Sequence, residues 1–329
     1  MLLIAPHSSY RIAPYLDAAH NLEADVLLAS QGEHTIAARG VEGISHDVRR
    51  PDAAIARLLA LARERPLDAV LGTDDATTEL AARVAHALGL PHNPPEAARF
   101  ARRKDLARER LAQAGAAVPR HWRIDLRQSL AAQLEAIEYP CVAKPVAMSA
   151  SRGVIRANDR AELLRACARI ERILDGEAPG EEGRYLLVER FIPGFEVAVE
   201  GLLSAGELEI LAIFDKPDPL DGPFFEETYY ITPTRLDGAT QETLRRRILE
   251  ACRAYGLTHG PIHAECRISD EGVWILEVAS RTIGGLCGRL LRFGTGYGLE
   301  ELVLAHALGE PLEPRRQDGA AGVLMIPIP

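Results

Sequence analysis

Apolar and amphipathic segments alternate along the first 95 residues. Apolar runs at residues 2–4, 25–28 and 68–72 predict short buried strands. Between and after them, apolar side chains recur with helical spacing in the segment opened by Asp52 and again over residues 78–88. Alternation of this kind predicts a parallel sheet flanked by helices, an α/β arrangement.

The pattern changes after a proline-rich linker at residues 91–95. Helices are predicted at residues 104–114, 161–174 and 240–255, and strands at residues 140–144, 154–156, 185–190, 195–203 and 207–214. This order predicts an α+β region of two lobes. We therefore expect an α/β domain over residues 1–95, a small lobe over 96–184 and a large lobe over 185–329. The apolar last residues, 322–329, predict a strand that needs a partner, and the sequence leaves open whether this C-terminal segment is complete.

Composition excludes several classes of protein. The 329 residues carry a net charge of −9, which argues against nucleic-acid binding. No apolar run approaches the length of a membrane span, so we expect no membrane insertion. The five cysteines are scattered, which predicts neither disulfides nor a zinc site and favours the reducing cytoplasm.

Two glutamates face each other in a predicted hairpin. Residues 263–267 and 274–278 have the content of strands, and a three-residue loop, 270–272, would close Ser269 against Val273. That register sets Glu265 opposite Glu277. Facing carboxylates repel unless a cation lies between them, and carboxylate oxygens suit Mg²⁺. The alternatives are two glutamates on a solvated face, or a different loop length that shifts the register by one.

Two other segments have the chemistry of a nucleotide site. Lys144 ends a strand, and the following loop of small and hydroxyl residues can direct N–H groups and hydroxyls at phosphate oxygens. Taken alone, this loop is better explained as a plain surface hairpin. Residues 186–196 predict a strand, a short break and a second strand. The apolar residues around the break offer a slot for adenine, and Glu196 could accept ribose hydroxyls. For Glu196 the alternative is a solvated strand face. Near the N-terminus, residues 73–75 follow a strand and predict either a ligand contact or a helix cap.

These motifs together resemble the ATP-grasp superfamily in order and spacing. They are Lys104 with residues 111–119, residues 142–145 with their loop, residues 188–196, Glu265, and Glu277 with Arg281. The resemblance covers roughly residues 91–311. It implies an α/β pre-grasp domain with a parallel sheet, followed by an α+β two-lobed ATP-grasp fold.

The resemblance also implies roles for individual residues. For ATP they are the phosphate lysines Lys104 and Lys144, the mobile lid with Ser149, Ser151 and Gly153, the adenine hinge Glu189, Arg190, Phe191 and Ile192, and the ribose ligand Glu196. Glu265 and Glu277 would bind Mg²⁺, and Mn²⁺ would also suit them. Arg281 would steady the transferring phosphoryl group and the acyl phosphate. Catalysis is therefore assigned to Arg281, Lys144 and His263, with His263 either a base or a hydrogen-bonded neighbour.

One position departs from the superfamily pattern. Ala279 stands where an asparagine usually supplies a third metal ligand. Water could fill the gap, since Ser280 should point to the opposite face of the sheet. The departure also leaves open a nucleotide-binding module without turnover.

Substrate contacts are expected from two loops. Gly284 and Gly285 follow Arg281 and would let a carboxylate approach the backbone. The long loop within residues 214–230 resembles the substrate-covering segment of amino-acid ligases, which implicates Lys216, Glu227 and Tyr230.

The sequence thus predicts an ATP- and Mg²⁺-dependent ligase that joins small-molecule carboxylate and amine substrates, with amino acids as the first choice. The alternatives are an enzyme that phosphorylates formate or bicarbonate and the non-catalytic module. A homodimer is a candidate assembly.

Overall fold

The N-terminal domain is built on a parallel sheet, as its alternating pattern predicts. The computed structural model describes residues 1–7, 9–31, 42–46, 50–178 and 180–326. The elements are β1 (Leu2–Ala5), α1 (Ile12–Asn21), β2 (Leu27–Gln31), β3 (Glu42–His46), α2 (Pro51–Glu64), β4 (Val70–Gly72) and α3 (Asp75–Leu88). The strand order is β3-β2-β1-β4, and every pairing is parallel. Helix α1 and strand β3 were not predicted.

The small lobe packs one helix-covered antiparallel sheet. Its elements are α4 (Pro95–Arg102), α5 (Lys104–Gln113), β5 (His121–Asp125), α6 (Leu130–Gln133), β6 (Cys141–Pro145), β7 (Ile155–Ala157), α7 (Arg160–Leu174) and β8 (Tyr185–Arg190). The strand order is β5-β8-β6-β7. Leu163, Cys167 and Ile170 lie one helical turn apart on α7 and bury this face against the sheet.

The large lobe contains a six-stranded antiparallel sheet. Its elements are β9 (Phe195–Ser204), β10 (Glu207–Lys216), β11 (Tyr229–Thr232), α8 (Gly238–Tyr255), β12 (Gly260–Ser269), β13 (Gly272–Ala279), a 3₁₀ helix (Cys287–Leu290), α9 (Leu299–Leu308) and β14 (Ala321–Leu324). The strand order is β13-β12-β9-β10-β11-β14. Strand β14 pairs with β11, so the apolar C-terminal strand has the partner it needs; residues 327–329 lie outside the described residues.

A shared apolar core joins the N-terminal domain to the large lobe. Tyr15 on α1, Phe214 on β10 and Val303 on α9 belong to one buried cluster. Burial of such side chains stabilises by roughly 2 kcal/mol each. This core places α1 beside the loop that follows β13, because Ile283 of that loop and Cys287, where the loop ends, belong to the same cluster. In the part of the chain that the structure describes, no helix is long and apolar enough to cross a membrane.

The β12–β13 hairpin differs from its predicted turn. Ser269 pairs with Gly272, so the loop has two residues, and the predicted three-residue loop is wrong. The register then shifts by one, because Leu276 bulges between the Cys266–Ile275 and Glu265–Glu277 pairs. The predicted pairing of Glu265 with Glu277 is therefore confirmed, although the extra residue lies in a bulge and not in the turn.

Candidate active site

A cavity of about 580 Å³ lies between the lobes and the N-terminal domain. Most residues predicted for the site line it, namely Lys104, Lys144, Ser149, Ser151, Glu189, Arg190, Phe191, Ile192, Glu196, Glu227, Tyr230, His263, Glu265, Glu277, Arg281, Gly284 and Gly285. Two others lie behind its wall. Gly153 has a positive φ and packs against Pro145, and Lys216 is buried beneath three carboxylates.

Each glutamate of the facing pair has an ammonium partner. Lys104 Nζ lies 2.9 Å from Glu277 Oε2, and Lys216 Nζ lies 3.1 Å from Glu265 Oε1. The lysines thus offset the repulsion that facing carboxylates impose. Lys104 Nζ also donates to the carbonyl oxygen of Met148, which ties the predicted phosphate lid to the carboxylate pair. Two carboxylates beside lysines and an open cavity fit a divalent cation together with phosphate oxygens.

Lys216 is held by a cage of three carboxylates. Its Nζ donates to Glu196 at 2.7 Å, Glu227 at 2.8 Å and Glu265 at 3.1 Å. Burial alone would lower the pKa of Lys216, but the carboxylates outweigh burial and raise it well above its usual value. Burial and the charge of Glu265 raise the pKa of Glu227, and Tyr230 donates a hydrogen bond to that carboxylate.

Glu189, the first residue of the predicted hinge, is buried near the end of β8 and contacts two cationic side chains. Glu189 accepts hydrogen bonds from both Lys144 and Arg108. Burial opposes ionisation of Glu189, yet Arg108 and Lys144 lower its pKa to about 2. Arg108 was not predicted from the sequence. Its place one helical turn after Lys104 on α5 is the signal that could have indicated it.

The N-terminal domain holds the loop that follows Arg281. Asp75, in the first turn of α3, accepts two bonds from Arg281 at 3.0 and 2.9 Å. Arg11 donates to the carbonyl oxygens of Thr282 and Ile283, and the Tyr10 hydroxyl accepts from Gly285 N–H. The sequence did not predict these contacts of Tyr10 and Arg11.

The structure bears on both interpretations of residues 73–75. Asp74 forms a capping box with Thr77 at the start of α3, so the helix-cap alternative is confirmed. Asp74 and Asp75 also line the cavity, so the same turn faces any ligand bound there.

His263 is buried between two acidic side chains, Glu200 and Glu265. Its Nδ1 is 2.6 Å from Glu200 Oε1, and its Nε2 is 3.6 Å from Glu265 Oε1. Burial would lower the pKa of His263, but the bond to Glu200 outweighs burial and raises it to about 9. An imidazolium at neutral pH cannot accept a proton, which favours the hydrogen-bonded neighbour over the base. Glu196 and Glu200 are 6% and 1% exposed, which excludes the solvated-face alternative for them.

Ser280 does not reach the carboxylate pair. Its Oγ is buried without a hydrogen-bond partner among the described residues and faces a separate small cavity beside His306. Its predicted position on the opposite face is thus confirmed. Ala279 pairs with His263 in the hairpin and offers no side-chain oxygen.

Comparison with known proteins gives matches over most of the chain. Residues 137–289 match the ATP-grasp domain family, and residues 16–92 match the ATP-grasp N-terminal domain family. The chain is 29% identical to carnosine synthase 1 of Gallus gallus over 86% of its own length and 32% of that protein. It is 26% identical to dapdiamide A synthase of Enterobacter agglomerans over 82% of its length and 64% of that protein.

A solved structure of similar shape is the L-amino acid ligase from Bacillus licheniformis. It shares 27% identity and a TM-score of 0.82, and the match covers all of this chain and 80% of that one. The chain spans only about a third to two thirds of the length of the curated relatives above.

Proposed function

Since this chain belongs to the ATP-grasp superfamily, we propose that it is a carboxylate–amine ligase that joins amino acids through an acyl phosphate. The observation that carries the proposal is the pairing of Glu265 with Glu277 inside the cavity that Arg281 also lines. Two paired carboxylates beside lysine ammonium groups suit a site that binds a divalent cation together with phosphate oxygens. The similarity to an L-amino acid ligase of known structure supports amino-acid substrates.

Residues of both lobes would hold the nucleotide and the metal. Lys104 and Lys144 would contact phosphates, residues 189–192 would receive adenine, and Glu265 and Glu277 would bind Mg²⁺ or Mn²⁺. Bound Mg²⁺ would supply charge neutralisation for phosphoryl transfer. Glu196 would accept from the ribose. Its two oxygens accept from Lys216 and Arg267, and each oxygen retains a second acceptor site.

The proposed reaction has two steps, and in each step one bond forms and one bond breaks. A carboxylate oxygen of the first substrate attacks the γ-phosphorus of ATP, and ADP leaves. The amine of the second substrate then attacks the acyl carbon, and inorganic phosphate leaves with one oxygen of the original carboxylate. Arg281 is 9% exposed and fixed by Asp75, so its guanidinium is positioned before the negative charge develops.

The loop after Arg281 supports an amino acid as the carboxylate substrate. Gly284 and Gly285 line the cavity and carry no side chain between a ligand and the backbone. Arg11 and Tyr10 hold this loop in place from the N-terminal domain. A preorganised loop next to a fixed arginine suits a substrate larger than formate or bicarbonate. Cytoplasmic location and a homodimer stay predictions from the sequence.

The test is release of ADP and phosphate from Mg-ATP with amino-acid pairs, single amino acids, formate and bicarbonate, beside Glu277→Gln as the inactive control. We expect release only with two amino-acid substrates and none in Glu277→Gln. Release driven by formate or bicarbonate would replace the proposal with the carboxylase-type reaction. Binding of ADP without stimulated release by any substrate would favour the non-catalytic module.

A further inference from the structure

A fully buried arginine connects the two halves of the candidate nucleotide site. Arg108 on α5 is 2% exposed, and its guanidinium makes two separate contacts. Its Nε donates to Glu189 on β8, and its Nη2 donates to the carbonyl oxygen of Leu276 on β13 at 2.6 Å. Burying a guanidinium is unfavourable unless such partners compensate for its lost hydration. The two partners belong to different sheets.

The contact with Glu189 acts on Lys144. Glu189 is 3% exposed and uses one oxygen for Arg108 and the other for Lys144. Arg108 therefore fixes the carboxylate that in turn fixes the ammonium of Lys144. Because the lysine side chain is long and rotatable, its position at the cavity depends on this anchor.

The contact with Leu276 acts on Glu277. Leu276 is the extra residue of the β-bulge, so the ladder between β12 and β13 skips it. A bulge disrupts the local ladder, and here an arginine N–H binds the bulged carbonyl. The bulge precedes Glu277 directly, and the shifted register sets Glu277 opposite Glu265.

We propose that Arg108 is a positioning residue that fixes Lys144 through Glu189 and Glu277 through the bulge at Leu276. Its importance for ATP and metal rests on the proposed function, whereas its effect on the bulge does not. Arginine suits both contacts because its planar fork presents several donors in fixed directions. Lysine offers a single ammonium and cannot reach two partners in different sheets with the same geometry.

The test compares Arg108→Lys and Arg108→Met with a matched control, Arg103→Lys. Arg103 is also a buried arginine with a two-bond partner, Asp105, but its ion-pair partners among the described residues are Asp105 and Glu181, and not Glu189. Hydrogen exchange of the peptide spanning residues 272–279 measures the bulge without any ligand. Titration with ADP measures the effect on nucleotide binding through Lys144. Titration with Mn²⁺ in the presence of ADP measures the effect on metal binding through Glu277. Thermal unfolding of each variant checks folding.

We expect faster exchange over residues 272–279 in both Arg108 variants, and at least about ten-fold weaker binding of both ADP and Mn²⁺. The Arg103→Lys control should show the wild-type exchange rate and the wild-type affinities for ADP and Mn²⁺. Exchange and binding in Arg108→Lys equal to those of the control would overturn the proposal. If Arg108→Met does not fold, Arg108→Lys decides. If the wild type binds no ADP, the proposed function fails, and hydrogen exchange alone decides the role of Arg108.

Discussion

Glu265 and Glu277 occupy directly paired positions because Leu276 bulges from the strand between them and the turn. Without the bulge, the register of the turn would pair Glu277 with Ala264. A shift of one residue reverses the face on which every later side chain lies. The bulge thus brings both carboxylates to the cavity, where each meets a lysine ammonium.

This pairing predicts a joint role in metal binding. Glu265→Gln and Glu277→Gln should each weaken Mn²⁺ binding in the presence of ADP by at least about ten-fold, because each removes a charged oxygen ligand. Electron paramagnetic resonance of free Mn²⁺ measures the effect. Glu209→Gln, at an exposed position on β10, is the control. Wild-type affinity in both site variants would place the metal elsewhere.

The cage around Lys216 predicts a gain of cation binding when the lysine is removed. One oxygen each from Glu196, Glu227 and Glu265 lies within 4.8 Å of the others, and the ammonium of Lys216 contacts all three. Lys216→Met should therefore bind Mn²⁺ without nucleotide more tightly than the wild type. Lys104→Met leaves the cage intact and should gain less. Equal behaviour of the two variants would contradict the role of the cage.

The contact between Asp75 and Arg281 predicts a stability cost at the domain interface. Asp75→Asn leaves a buried guanidinium with a weakened partner, so the free energy of unfolding should fall by about 3 kcal/mol. Asp52→Asn breaks the exposed pair with Arg83 and should cost less than about 1 kcal/mol. Urea unfolding of the wild type and both variants measures the two losses in the free energy of unfolding. Equal losses would show that the Asp75 contact contributes no more than a surface ion pair.

The buried His306 predicts a loss of stability in mild acid. Burial, and then the neighbouring His259, lower the pKa of His306 to about 4. Its Nε2 is 2.8 Å from Ser204 Oγ, and its Nδ1 has no hydrogen-bond partner among the described residues. Because the unfolded state binds the proton more tightly, stability falls as pH drops below about 6.5 towards 4.

A variant without this imidazole isolates the effect. From pH 7.5 to pH 5, the wild type should lose about 2 kcal/mol more unfolding free energy than His306→Gln. Urea unfolding at the two pH values measures the difference. Parallel pH profiles for wild type and variant would show that His306 does not titrate with a lowered pKa.

Local patterns predicted the fold class, whereas the roles of most predicted site residues came from the resemblance of the motifs to the ATP-grasp superfamily. The alternation of strands and helices gave the parallel sheet, and the motif order led to the two lobes. The helix α4 was hidden because Pro94 and Pro95 indicated a linker, whereas Pro95 is the first residue of that helix.

Contacts between residues far apart in the sequence could not be predicted from local patterns. Asp75 and Arg281 are 206 residues apart, and Arg108 meets Leu276 across 168 residues. The bulge at Leu276 was equally hidden, because no glycine or proline marks it. The correct pairing of Glu265 with Glu277 came from a turn predicted one residue too long, which compensated for a bulge that was not predicted.

The transfer of oxygen from substrate to phosphate tests the central claim most directly. The chain would be incubated with Mg-ATP, an amine substrate and an amino acid labelled with ¹⁸O in both carboxylate oxygens, and the released phosphate analysed by mass spectrometry. An acyl phosphate predicts one ¹⁸O atom in each phosphate formed together with product. Product formation with unlabelled phosphate would contradict phosphorylation of the carboxylate.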